Sequence, residues 1–145
     1  MVHENRHLIN CLRGDLDRTL LMRAVSDDND IVFDYLIKKL QDFSAVDRNG
    51  WNIIYHIVWF DRDDEISESQ LIKLSNKTNV ESLINKRNVH GDTPLHVAAR
   101  WNNYRTIARL ISMGSDVNVR NKYNQLPDEH NRCDDETKRI IRQSR

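Results

Sequence analysis

The stretch GDTPLHVAARWNNYRTIARLISMGSDVNVRNKYN, residues 91–124, decides how this chain folds. Thr93 has a hydroxyl that can cap a helix, and Pro94 then falls at the first helical position, where its missing N–H is not needed. Small Ala98 lets a second helix approach closely, and Gly114 supplies a left-handed residue where the second apolar stripe ends. The stretch therefore predicts two short helices joined by a turn.

The turn and the second helix follow from the same stretch. Asn102 lies between the two predicted helices, and asparagine tolerates a positive φ better than most other residues. The second helix would bury one stripe made of Ile107, Leu110 and Ile111. Because helices this short are marginal alone in water, they must pack on neighbouring units.

The stretch closely resembles the ankyrin repeat. The turn signature of that family, T-P-L-H-x-A, occurs here as Thr93, Pro94, Leu95, His96 and Ala98. The resemblance implies an all-α solenoid of stacked helix-turn-helix units with terminal capping helices. It also implies that His96 is a structural residue that hydrogen-bonds near Thr93 and to adjacent loops.

Degenerate copies of this unit precede and follow it. Gly50 lies 41 residues before Gly91, and Asp17 lies 33 residues before Gly50, which is the ankyrin period. The middle unit has about eight extra residues, which we place in DRDDEISESQ (61–70) and expect to form a solvated loop. We predict one domain over 1–145, made of an N-terminal capping helix (1–16), repeats at 17–49, 50–90 and 91–123, and a degenerate C-terminal cap (124–145).

Both chain ends have patterns that need an interpretation. Residues 134–143, DDETKRIIRQ, place acids before bases, as a closing helix does. HENRH, residues 3–7, fits the H-E-x-x-H pattern of zinc metalloproteases. However, only two residues precede His3, and residues 8–15 offer no His or Glu as a third ligand. We favour a solvated terminal helix, and the metalloprotease is a remote alternative.

Composition excludes several classes of function. Lys plus Arg and Asp plus Glu number 22 each, so no overall charge favours nucleic acid or an anionic membrane. The two cysteines, Cys11 and Cys133, form no C-x-x-C pair, and no apolar run is long enough for a leader or a membrane span. We expect a non-catalytic protein of the nucleus and/or cytoplasm, with no cofactor, metal site, membrane partner, small-molecule substrate or direct contact with nucleic acid.

The order of motifs also resembles the ankyrin region of the fungal SBF/MBF family of G1/S cell-cycle transcription factors. Residues 19–40, 47–58 and 84–127 carry this likeness. It implies a transcription-regulatory role in the nucleus. The winged-helix-like DNA-binding domain of that family has no counterpart in this sequence, so DNA binding is not carried over. An IκB-like ankyrin inhibitor and a generic scaffold or adaptor are the alternatives.

Ankyrin stacks bind proteins through their hairpin tips and the face of their first helices. Trp, Tyr and Arg are the usual anchors of protein interfaces. The predicted protein-binding residues are Trp51, Arg87, His90, Arg100, Trp101, Arg120 and Tyr123. The expected partner is another protein, such as a transcription-factor subunit or regulator. For His56 we expect a core or inter-repeat hydrogen bond, and for Trp59 a packed position.

Overall fold

The computed structural model describes residues 17–59 and 64–145. Within these ranges the chain forms eight helices and no β-strand: α1 (Leu20–Ser26), α2 (Asp30–Lys39), α3 (Ile53–Trp59), α4 (Asp64–Lys77), α5 (Glu81–Ile84), α6 (Pro94–Arg100), α7 (Tyr104–Ser112) and α8 (Asp135–Gln143). The predicted N-terminal capping helix, the HENRH motif and Cys11 lie outside the described residues.

The helices stack in two layers. The first helices of successive units pack in the order α1, α3, α6, and the second helices pack in the order α2, α4, α7, α8. Each first helix also packs on the second helix of its own unit. Between the layers lies a continuous apolar core, in which Phe33, Ile54, Leu95 and Leu110 are fully buried. Helices α3 and α6 are buried along almost their whole length, and only their last residues, Trp59 and Arg100, are partly exposed.

Local sequence determines where the helices begin and turn. Thr19 accepts a hydrogen bond from the Met22 backbone N–H at the start of α1 (3.2 Å). The predicted left-handed turn at Asn102 is confirmed by its φ of 53°, and Asp28 has the same φ between α1 and α2. Gly114 has a φ of 107° just after α7, as predicted.

The tips before α3, before α6 and after α7 share one turn. In each, a side-chain oxygen accepts hydrogen bonds of 2.8–3.1 Å from the backbone N–H groups two and four residues later. The residues that make this turn are Asp47, Asn88 and Asn121. Neighbouring tips are linked by backbone hydrogen bonds from Val89 to Asn49 (3.1 Å) and from Lys122 to His90 (2.9 Å). The tips therefore form a connected ridge.

The middle unit accommodates its extra residues as helix. Residues 64–70 of the predicted loop belong to α4, which has 14 residues against 9 in α7. The Ser67 side chain is fully buried and donates to the Ile57 carbonyl oxygen (3.0 Å). The prediction of a solvated loop is therefore wrong for residues 64–70, because Ser67 and Asp64 bond to neighbouring helices. Residues 61–63 of the predicted loop lie outside the described residues.

Asp64 also connects two units. Its carboxylate accepts hydrogen bonds from the backbone N–H groups of Arg105 (2.8 Å) and Thr106 (2.9 Å), at the start of α7. These N–H groups have no partner within α7. The residue before the helix, Asn103, makes no capping hydrogen bond with its side chain. The first residue of α4 thus caps the second helix of the next unit.

Candidate protein-binding surface

In each of the first three units, two side chains that are eight residues apart contact each other beside the first helix. One is the residue that follows the left-handed residue at the start of the unit, and the other lies eight residues later. The pairs are Arg18 with the Ser26 hydroxyl (3.4 Å), Trp51 with Trp59 (ring centroids 4.7 Å apart), and Asp92 with Arg100 (2.8 Å). These side chains, together with the adjacent Trp101, define what we call the first-helix face.

The three tryptophans of the chain form one aromatic ladder on this face. Trp51 stacks on Tyr55 (5.6 Å, 19°) and contacts the edge of Trp59 at 64°. Trp59 in turn makes a nearly perpendicular contact with Trp101 in the next unit (5.8 Å, 88°). All three indoles pack against the core and remain partly exposed. Large amphipathic side chains in such a position serve both packing and recognition.

A buried tyrosine ties α3 to the next tip. The Tyr55 hydroxyl donates to the backbone carbonyls of Lys86 and Asp92. Burial raises the pKa of Tyr55, and the nearby Asp92 carboxylate raises it further. The hydroxyl therefore stays protonated and keeps its role as a donor.

His96 has the corresponding role in α6. Its Nδ1 accepts a hydrogen bond from the Thr93 backbone N–H (3.1 Å), so Nε2 carries the proton and donates to the Gln125 carbonyl (3.0 Å). Burial lowers the pKa of His96, which favours this neutral form. The predicted structural role of His96 is confirmed. His56 makes a core hydrogen bond, as expected, from Nε2 to the Asp47 carboxylate (2.9 Å).

A depression of about 490 Å³ lies where the last tips meet the first-helix face. Its lining includes His90, Asp92, Arg100, Tyr123, Gln125, Glu129, His130 and Asn131. The Asp92 carboxylate is buried and already bonded to Arg100 (2.8 Å) and to the Asn121 amide (2.9 Å). Tyr123, by contrast, is 63% exposed. Three predicted binding residues, His90, Arg100 and Tyr123, therefore share one depression.

A second depression, of about 450 Å³, continues from the first. It is lined by Trp59, Arg100, Trp101, His130, Asn131 and Arg132, and we call it the indole pocket. The Arg132 guanidinium lies over the Trp101 ring, 5.9 Å from its centroid. Burial lowers the pKa of His130, and the positive charges of Arg100 and Arg132 lower it further. The pocket thus combines indole surface with cationic side chains.

The other predicted residues lie outside both depressions. Arg87 donates to the carbonyls of Gly91 (3.1 Å) and Arg120 (2.7 Å), and so holds two tips together. Arg120 donates to the Asn124 carbonyl (2.9 Å) and pairs with Glu129 (3.3 Å). Trp51 belongs to the ladder. Four residues of the indole pocket were not predicted from sequence to bind a partner: Trp59, His130, Asn131 and Arg132. Of these, Trp59 could have been found from its spacing of eight residues from Trp51.

The described part of the chain contains neither a cluster of metal-ligating side chains nor a membrane-spanning helix. Over residues 17–59 and 64–145, no group of three or more His, Cys, Asp or Glu side chains could hold a metal ion. No helix in these ranges has the length and apolar character needed to cross a membrane. Cys133 is a free, buried thiol whose pKa is raised by burial.

Comparisons with known proteins agree with this architecture. Residues 90–122 match the ankyrin-repeat family. A segment of 118 residues, 80% of this chain, is 25% identical to the phosphocholine transferase AnkX of Legionella pneumophila and spans 12% of that protein. The ankyrin repeat domain of Bcl-3, described as a unique member of the IkappaB protein family, superposes with a TM-score of 0.69 at 20% identity. That match covers 86% of this chain and 51% of the Bcl-3 chain. The fold is an all-α ankyrin-repeat solenoid.

Proposed function

We propose that this ankyrin-repeat solenoid is a non-catalytic module that binds another protein across its first-helix face and the adjoining tips. The observation that carries the proposal is the convergence of His90, Arg100 and Tyr123 on one open depression beside the aromatic ladder. Partly exposed aromatic and arginine side chains around a concave site are typical of interface anchors. Because the tips are fixed by hydrogen bonds before binding, little ordering entropy opposes association.

The partner we propose is a transcription-factor subunit or regulator in the nucleus. The motif order of residues 19–40, 47–58 and 84–127, which resembles the SBF/MBF ankyrin region, supports this choice. The shape shared with the Bcl-3 ankyrin domain supports a related alternative, an IκB-like ankyrin inhibitor. The match to AnkX spans 12% of that protein and does not support a transferase activity for this chain.

The test is affinity capture with the double variant His90→Ala/Tyr123→Ala. Both side chains lie at exposed tip positions, so the stack should fold normally while partner recovery falls about tenfold. Recovery is measured by quantitative mass spectrometry after crosslinking in the native cell, and folding is checked by circular dichroism.

The matched control is Tyr35→Ala/Lys38→Ala on α2, where Tyr35 is 55% exposed. This variant removes a similar aromatic and cationic pair from a second helix and should leave recovery unchanged. If the tip variant and the control recover the same partners in equal amounts, the proposed binding surface is wrong.

A further inference from the structure

The indole pocket differs in chemical character from two depressions in the layer of second helices. The described residues that line it are two indoles, two guanidinium groups, an imidazole and an amide, and none of them is a carboxylate. By comparison, the depression between α2 and α4 contains Asp34 beside its lysines, and the one near α7 contains Glu68 beside its arginines. Of these three depressions, the indole pocket is the one whose described lining combines cationic with aromatic side chains and lacks a carboxylate.

The two carboxylates that line the adjoining depression, those of Asp92 and Glu129, already have partners. The Asp92 side chain is only 3% exposed and is bonded to Arg100 and Asn121. Glu129 pairs with Arg120. Among the described residues, Arg132 has no carboxylate partner, and its guanidinium lies over Trp101. Arg132 can therefore accept an external anion without breaking an existing ion pair.

Two buried donors near the ladder are also unused. Arg100 uses Nη2 for Asp92, whereas its Nε is buried and has no hydrogen-bond partner among the described residues. The same holds for the indole Nε1 of Trp51. Buried donors normally have partners, so these two atoms are exceptions, and a bound chain could reach them only if the side chains around them moved.

Resting on the proposed function, we propose that the indole pocket binds an acidic segment of the partner protein. The segment places a large apolar side chain against Trp59 and Trp101, and its flanking carboxylates bind Arg132 and Arg100. An extended segment fits better than a single side chain, because the two depressions are continuous through Arg100, His130 and Asn131. The apolar side chain anchors the segment against the indoles, and the contacts between carboxylates and arginines make the pocket selective for acidic segments.

The experiment is a selection of random peptides, about 12 residues long, displayed on phage and panned against the purified full chain. We expect the selected peptides to share an aromatic or large aliphatic residue with Asp or Glu on either side. Their affinity should fall as NaCl is raised, because the contacts to Arg132 and Arg100 are partly exposed. Binding should also change the intrinsic tryptophan fluorescence, since the chain's three indoles form one ladder.

The diagnostic variant is Arg132→Glu, and the matched control is Arg105→Glu on α7. Arg132 is exposed, and the Arg105 side chain is 59% exposed, so both charge reversals should leave the fold intact. We expect Arg132→Glu to weaken the selected peptides about tenfold or more, because it replaces an attraction with a repulsion. Arg105→Glu should change the affinity by less than about twofold.

The outcomes separate this inference from the proposed function. One possible result is that the selected peptides are not enriched in acidic residues, bind the Arg132→Glu variant normally, and fail to bind the His90→Ala/Tyr123→Ala variant. The inference is then wrong, while the first-helix face remains a protein-binding surface. If the selected peptides bind all of these variants as well as they bind the wild type, both proposals fail. If no binding peptide can be selected, the inference of an acidic peptide site fails.

Discussion

At the scale of single residues, two glycines with positive φ differ in what surrounds them. A Cβ atom added to Gly91, whose φ is 73°, would lie 2.8 Å from the Lys122 backbone nitrogen and 2.9 Å from an Arg87 guanidinium nitrogen. At Gly114, whose φ is 107°, no atom lies within 4 Å of an added Cβ. The first glycine is needed both for its backbone conformation and for the close approach of the next tip. The second is needed for conformation alone.

Gly91→Ala should therefore be the more destabilising of two matched substitutions. Gly114→Ala adds only the cost of a left-handed alanine, about 1 kcal/mol. Gly91→Ala adds the clash with the Lys122 backbone, and the total should reach about 3 kcal/mol. Urea unfolding of both variants measures the difference. Equal losses of unfolding free energy would show that the tips do not pack as closely as described.

The residues of the candidate surface show why sequence alone gave an incomplete set. Arg100 and Trp101 were predicted from their place at the end of a first helix, which the ankyrin register provides. Arg132 was not predicted, because it follows α6 by about one unit and reaches the pocket only when the cap folds back over Trp101. A contact of this kind depends on tertiary packing, which no local spacing encodes. The binding roles of all these residues remain predictions.

At the scale of helices, the agreement with sequence depends on how many local signals coincide. In residues 91–124 the cap, the proline, the small residues and the glycine all favour the same boundaries, so α6 and α7 could be predicted. Helix α4 lacks this agreement. Its first seven residues are mostly polar, and the contacts of Ser67 with Ile57 and of Asp64 with Thr106 belong to other helices. Such residues look like a loop until their partners are known.

One buried carboxylate helps to attach the closing helix α8. The Asp128 side chain is 2% exposed and accepts hydrogen bonds from Arg142 (3.0 Å) and Arg145. Burial alone would raise the pKa of Asp128, but the hydrogen bonds from Arg145 and Arg142 outweigh it and hold the pKa below the ordinary value of 3.8. A carboxyl with a lowered pKa in the folded state stabilises the fold above its unfolded pKa. This stabilisation is lost as the pH falls below about 3.8.

Asp128→Asn should accordingly reduce the unfolding free energy at pH 7 by about 1–3 kcal/mol. The difference from wild type should shrink as the pH falls below 3.8, because the unfolded chain then takes up a proton that the native carboxylate still resists. Urea unfolding at pH 7 and near pH 3 measures both quantities. The control is Glu136→Gln, whose exposed carboxylate pairs with Arg139 on the same helix and should matter much less. A loss that stays the same at both pH values would contradict this account.

At the scale of the whole molecule, the helices contact mainly the units next to them. Helix α3 packs on α1, α4 and α6, whereas the principal contact of α8 is with α7. Stability in such a stack is close to a sum of unit and interface contributions, and its ends open more easily than its middle. The effect of removing core volume should therefore depend on where along the stack it is removed.

Two isoleucines that are both 0% exposed allow this dependence to be measured, Ile54 in α3 and Ile141 in α8. Ile54→Ala should cost about 3 kcal/mol and lower protection against amide hydrogen exchange throughout the described units. Ile141→Ala should remove a similar apolar volume but lower protection mainly in α8 and α7. Native-state hydrogen exchange distinguishes the two patterns. A uniform loss of protection in both variants would mean that the chain unfolds as one cooperative unit.

The paired side chains beside the first helices have a consequence for how the binding surface of such a chain can evolve. The pairs are a hydroxyl with a guanidinium in one unit, two indoles in the next and an ion pair in the third, while the turns at Asp47, Asn88 and Asn121 keep the same geometry. Variation at the first two pairs is thus largely uncoupled from the turns that keep the units in register, whereas Asp92 of the third pair also accepts a hydrogen bond from the turn residue Asn121. A lineage could acquire a new partner through a few point substitutions in one unit, and the other units would keep their inherited surface.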